Sequence, residues 1–81
     1  MIVHVQFYSY LRELTGADSA AFDMPAASTV QDLLERAWAV YPAAAAMRNS
    51  TLVAIGMEYA ERNQPLKQDD EVALFPPVQG G

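Results

Sequence analysis

A single amphipathic helix, set in a chain otherwise written in short strands, limits the folds open to this sequence. Val30, Leu33, Leu34, Ala37, Trp38 and Tyr41 recur at the i, i+3, i+4, i+7, i+8, i+11 spacing that puts them on one stripe. Gln31, Asp32, Glu35 and Arg36 fall on the opposite side. Ser28-Thr29 opens the helix: Thr29 is suited to cap it, and Asp32 three positions later can return the bond, a weaker form of the capping box. Pro42 ends the regular helix, because it has no amide donor and clashes with the preceding turn. Ala43 to Met47 either adds a short turn of helix or packs as a loop of small residues. One apolar stripe needs one apolar surface to cover it, and the rest of the chain has to supply a sheet.

The strand signals follow in order. Met1 to Tyr10 alternates, with Val3, Val5 and Phe7 on the inward face and His4, Gln6 and Tyr8 on the other. Leu11-Arg12-Glu13-Leu14 is about one turn of helix formers, closed by Thr15-Gly16 with Gly16 as C-cap. Ser19 to Met24 is a second short strand, with Ala20 and Phe22 alternating with Ala21 and Asp23, and Pro25 closes it. Thr51 to Ile55 is a continuous apolar run suited to a central strand covered on one face by the helix. Gly56 marks a turn, and Glu58-Tyr59-Ala60 makes a brief return strand. Asn63-Gln64-Pro65-Leu66 and Lys67-Gln68-Asp69-Asp70 carry turn chemistry. Glu71 to Phe75 is the last strand, with Val72 and Leu74 on one face, and it needs a place inside the sheet to be well covered. The order predicts an α+β roll: a mixed sheet of about five strands with one main helix across one face. Residues 1–75 form the domain and residues 76–81 an extended tail.

Composition bounds what such a domain can do. With 81 residues the chain is near the lower size limit for a self-supporting core, and its apolar fraction of 52% suffices for one layer of sheet and one of helix. Five basic against ten acidic residues give a formal charge of −5, which repels phosphate backbones and argues against nucleic-acid binding. An acidic surface suits a basic protein partner, or simply solubility. No run of apolar residues is long enough to span a membrane, and no basic-then-apolar leader precedes the first strand, so the cytoplasm is the expected location. The absence of cysteine removes disulfides, thiolate metal sites and side-chain persulfides together.

The side chains supply no active site. His4 is the sole histidine, on the outer face of the first strand, and with no acid cluster beside it makes neither a metal site nor a triad. It is expected to be solvated or to face a partner. Asp69-Asp70 belongs to a solvated turn, Ser9, Ser28 and Thr29 lack a base, and Trp38 and the methionines are expected in the core. No glycine-rich phosphate loop is present and no metal site is expected.

What remains is the chain end, Phe75-Pro76-Pro77-Val78-Gln79-Gly80-Gly81. Pro76 and Pro77 stop the strand, and Pro77 biases Pro76 toward an extended conformation, so the stem should leave the body stiffly. A Gly-Gly terminus can thread a slot too narrow for other dipeptides, at an entropic cost that stability alone does not repay. The terminal carboxylate is ionised at neutral pH and unreactive until its oxygen becomes a leaving group. An ATP-dependent adenylating partner would achieve that, and a sulfur nucleophile could then replace the adenylate to leave a thiocarboxylate.

These residues resemble the small subunit of molybdopterin synthase, the MoaD-like branch of the β-grasp, ubiquitin-like sulfur carriers. Asp70-Glu71-Val72-Ala73-Leu74-Phe75-Pro76-Pro77-Val78-Gln79-Gly80-Gly81 is similar to the family's D-E-V-A-x-x-P-P-V-x-G-G ending. Phe7-Tyr8-Ser9-Tyr10-Leu11-Arg12-Glu13-Leu14-Thr15-Gly16 looks like its aromatic-then-R-E-x-x-G segment, and Gln64-Pro65-Leu66 before an acidic turn is a further match. Ile55-Gly56-Met57 departs from the Asn-bearing turn of many relatives.

The resemblance implies that a MoeB-like adenylating enzyme, using ATP, activates Gly81 and that sulfur is installed there as a thiocarboxylate. Gly80 with Phe75, Pro76, Pro77, Val78 and Gln79 would make the arm inserted into a MoaE-like large subunit. Sulfur would pass there to cyclic pyranopterin monophosphate, in an assembly of two small and two large subunits. Tyr8 and Arg12 match positions near the partner surface. No intrinsically bound cofactor is implied.

Three rivals stand beside this reading: a carrier for thiamin or a cysteine-type sulfur pathway, a ubiquitin-like protein modifier, and an interaction domain whose Gly-Gly is incidental. Thiamin carriers generally lack the double proline. A modifier would have Lys67 as its only lysine for chain building.

Overall fold

Alternation drives the first strand, β1 (Ile2–Phe7): Val3, Val5 and Phe7 are buried, while His4 and Gln6 are not. The computed structural model describes residues 1–77. The expectations for Val78, Gln79, Gly80 and Gly81 lie outside the described residues. After β1 come a short helix α1 (Tyr10–Thr15), strand β2 (Ser19–Asp23) and the main helix α2 (Val30–Val40). A 3-10 helix (Pro42–Met47) then leads to β3 (Leu52–Ile55), β4 (Glu58–Tyr59) and β5 (Glu71–Phe75).

The sheet order is β2-β1-β5-β3-β4. β1 and β5 are parallel, pairing His4 with Glu71 and Phe7 with Leu74; the other pairs are antiparallel. The last strand is therefore at the centre of a mixed sheet, as its apolar pattern demands. β3 is an interior strand but not the central one, since the two-residue β4 lies outside it. The first strand is shorter than its alternation suggested, because Ser9 turns the chain out of the sheet. Tyr8 accepts a hydrogen bond at its carbonyl from the Leu11 N–H, closing that turn.

The inner face of the sheet and the stripe of α2 form one core. Val30, Leu33, Leu34 and Ala37 have no exposed surface, and Val3, Val5, Val72 and Leu74 oppose them equally dry. The Phe7 ring meets Tyr41 edge-on, with centroids 5.4 Å apart. The capping box is complete: Asp32 N–H donates to Thr29 Oγ1 at 3.3 Å, and Thr29 N–H donates to Asp32 Oδ2 at 2.9 Å. Two further helix-start donors, the amides of Val30 and Gln31, reach the carbonyls of Gln64 and Arg62 at 2.9 and 2.8 Å.

The structure settles or corrects several expectations. Of the two alternatives open for residues 43–47, it takes the helical one: Pro42–Met47 is a 3-10 helix that buries Ala44. Leu66, read as part of a turn, is a core residue; its N–H donates to the Ser28 carbonyl at 2.8 Å, lacing the long β4–β5 connection to the start of α2. Met24 is buried as expected, but Met57 is fully exposed, because it follows Gly56 at the tip of the β3–β4 turn with no layer above it. His4 has one acid rather than a cluster in contact: its Nε2 lies 3.3 Å from Asp69 Oδ1, on the exposed face expected for it. Asp70 has a structural duty, accepting the Lys67 N–H at 2.8 Å within its turn.

Candidate functional site: the base of the C-terminal stem

The stem is rooted in the middle of the sheet. Strand β5 is hydrogen-bonded on both sides up to Phe75: Leu52 of β3 pairs with Phe75, and the Tyr8 N–H donates to the Leu74 carbonyl at 3.0 Å. Pro76 and Pro77 follow in irregular backbone and are half-buried. Neither can donate to a ladder, so the sheet stops there for a chemical reason. Pairing on two flanks ties the root of the stem into the sheet.

Strand alternation decides what surrounds that root. Val72 and Leu74 point into the core, so Ala73 and Phe75 occupy the open face. The register then places Leu52 beside Phe75, Ala54 beside Ala73, and Tyr59 beside Ala54 on the same face. The Tyr59 ring packs against Phe75 with centroids 5.9 Å apart, yet remains 73% exposed. Leu52, Ala54, Tyr59, Ala73 and Phe75 thus make an uncharged, largely apolar patch at the foot of the stem. Charge collects at the other end of this face, where Glu71 pairs with His4, Asp69 contacts it, and Asp23 lies opposite Ile2 beside the N-terminal ammonium.

Tyr8 and Tyr10 stand about half exposed on the β1 side of the stem, on either side of Ser9. Ser9 has φ 57° and ψ −131°, a conformation that favours glycine. Arg12 is exposed on α1 and shares a shallow recess with Ser9, Tyr10, Glu13 and Asp18. The structure therefore brings Tyr8, Phe75, Pro76 and Pro77 together and places Arg12 on the neighbouring helix. Leu52 and Tyr59 were missed by motif reading. The signal that could have found them was the Thr51–Ile55 run followed by its brief return strand, which together put Tyr59 on the face of the last strand's odd positions.

Among the described residues no cluster of three or more His, Asp or Glu side chains could hold a metal ion. No helix among them is long and apolar enough to cross a membrane.

A mixed five-stranded sheet in this order, covered on one face by one main helix and releasing its central strand at a proline-stiffened stem, defines the ubiquitin-like β-grasp class of carriers and modifiers. The chain belongs to the ThiS family, whose profile matches residues 5–81. It is 32% identical over 80 residues to the molybdopterin synthase sulfur carrier subunit of Dictyostelium discoideum, covering 95% of this chain and 93% of that one. Among solved structures it superposes on SAMP1, small archaeal modifier protein 1, of Haloferax volcanii with TM-score 0.91 at 26% identity, each chain covered in full (100%). It also superposes on a chain of the Helicobacter pylori complex of subunits 1 and 2 of molybdopterin-converting factor, with TM-score 0.72, 21% identity and 100% of both chains covered. That last likeness speaks for the fold alone.

Proposed function

We propose that this chain is the sulfur-carrying small subunit of a molybdopterin synthase. Gly81 is adenylated at its carboxyl by a MoeB-like enzyme that consumes ATP. A sulfur nucleophile displaces the adenylate to leave a thiocarboxylate, and that sulfur is given to cyclic pyranopterin monophosphate inside a MoaE-like large subunit. The folded body holds and docks the tail, and its own side chains perform none of the chemistry.

The observation that carries the reading is the root of the stem: the central strand, paired on both flanks, ends at Pro76-Pro77 beside an uncharged aromatic patch. A tail that must reach into another protein needs a fixed origin and a surface that docks around it. The Phe75–Tyr59 pair and Leu52 offer the large aromatic and aliphatic anchors that dominate interfaces, with Tyr8 on the flank. The naming of the Dictyostelium relative, as one subunit of a molybdopterin synthase, supports both the pathway and a partner subunit. A small soluble carrier of this kind would work in the cytoplasm.

The test is a reconstituted assay with the large subunit, the adenylating enzyme, ATP, a sulfur source and the pterin precursor. Deleting Gly81 should abolish sulfur transfer while leaving the unfolding transition unchanged. Retained transfer would sink the scheme.

A second reading is a protein modifier, favoured by the close superposition on small archaeal modifier protein 1. The same adenylation would then end in an isopeptide bond to a partner's lysine. Covalent conjugates in cells, lost on deletion of Gly81, would select it.

A further inference from the structure

The helix side of the molecule carries a notch of about 580 Å³ between α2 and the segment after the 3-10 helix. Gln31, Glu35, Trp38, Arg48, Asn49 and Arg62 line it. Two guanidiniums thus meet in one place on a chain that has only five cationic side chains against ten acidic ones. Neither forms an ion pair among the described residues.

Both are anchored by backbone carbonyls rather than by carboxylates. Arg62 Nη2 donates to the carbonyls of Arg48 and Thr51, both at 3.0 Å. Arg48 Nε donates to the Ala45 carbonyl at 3.1 Å. Each bond fixes part of the guanidinium plane and uses a single nitrogen, so the other N–H groups have no partner among the described residues. A planar fork held this way loses little freedom when it binds a two-oxygen anion.

We propose that this notch is a second docking site, which receives a single glutamate or aspartate carboxylate from an extended segment of a partner protein. Charge selects the ligand. The two arginines and Glu35 leave a local charge of +1, which one monoanionic carboxylate balances, whereas a phosphate dianion overshoots it and meets Glu35 with twice the charge. Shape selects a polypeptide. The Gln31 and Asn49 side chains are exposed, and their amides can donate to and accept from an extended main chain lying across the notch. Asn49 and Arg62 of the notch also line a neighbouring recess with Leu52 and Tyr59, so the notch lies round the β4 edge from the Phe75–Tyr59 patch. The proposal does not depend on the sulfur-carrier reading.

The experiment is an NMR titration of the full chain with a terminally blocked peptide carrying one glutamate among neutral residues. The expected result is saturable shifts concentrated on the side-chain N–H signals of Arg48, Arg62 and Trp38. Arg48→Gln should weaken binding about tenfold, the loss of one charge-assisted pair. Glu35→Gln should tighten it several-fold, an effect that a purely structural role for these residues does not produce. Arg62 is left intact because it also ties the 48–51 segment in place. Shifts that are absent or scattered, equal binding of a glutamine-for-glutamate peptide, an unchanged affinity in Arg48→Gln, or equal displacement of the same signals by inorganic phosphate would each overturn the proposal.

Discussion

Ser9 sits at the junction of sheet and helix with a backbone conformation that its Cβ disfavours. Such residues cost on the order of 1 kcal/mol or more and persist only where the surroundings impose them. Here the constraint comes from both sides: the Tyr8 N–H is fixed to the Leu74 carbonyl, and Leu11, two residues on, is fully buried. Ser9→Gly should therefore raise stability by about 1 kcal/mol, read as a higher urea midpoint with an unchanged slope. A lower midpoint would mean that the serine side chain stabilises the turn in a way its missing cap bond does not suggest. At this scale the sequence is informative where chemistry is local. Thr29, Asp32 and Gly16 announce their capping roles through residue type and spacing. The contact of His4 with Asp69 does not, because it joins residues far apart in the chain.

At the scale of elements, α2 was legible because a 3.6-residue period, a capping residue and a terminating proline all agree on it. The stripe it predicts is the one the core uses. Leu34→Ala should cost roughly 2–5 kcal/mol, measured by chemical denaturation, since the side chain is fully buried and its removal leaves a cavity. An unchanged midpoint would show that Leu34 does not face the sheet. The 3-10 helix was not decidable, because a run of alanines carries no amphipathic signal. Leu66 was hidden by its neighbours: a lone apolar residue among Asn, Gln, Pro and Lys reads as a turn, and only the tertiary bond to Ser28 gives it a place in the core. The open sheet face makes its own prediction. Tyr59→Ser should leave folding nearly unchanged, because the residue is 73% exposed, yet should weaken binding to a large subunit by about 2 kcal/mol in calorimetry. Equal affinity would remove this face from the interface.

For the whole molecule, class and layer arrangement could be read from the order of elements, but the sheet order could not. Placing β5 between β1 and β3 joins the two ends of the chain, and no local pattern encodes that pairing. The apolar last strand required an interior position without saying which neighbours it would have. Once it is central, the rest follows: the register assembles Leu52, Ala54, Tyr59, Ala73 and Phe75 on one face, and the prolines release the chain at the edge of that patch. Under the proposed function the reactive end would, by contrast, be legible in sequence alone, as two glycines after Pro76-Pro77 whose chemistry belongs to a carboxyl group rather than to a pocket. The body's contribution is a fixed point of departure.

The most direct test of that claim is the intact mass of the full chain purified from cells that also make the adenylating enzyme and a sulfur source, followed by fragmentation to locate any change. The account predicts a mass gain equal to replacing one oxygen by one sulfur, confined to Gly81 and reversed by hydrolysis. Unaltered mass under those conditions, or a sulfur located elsewhere in the chain, would contradict it.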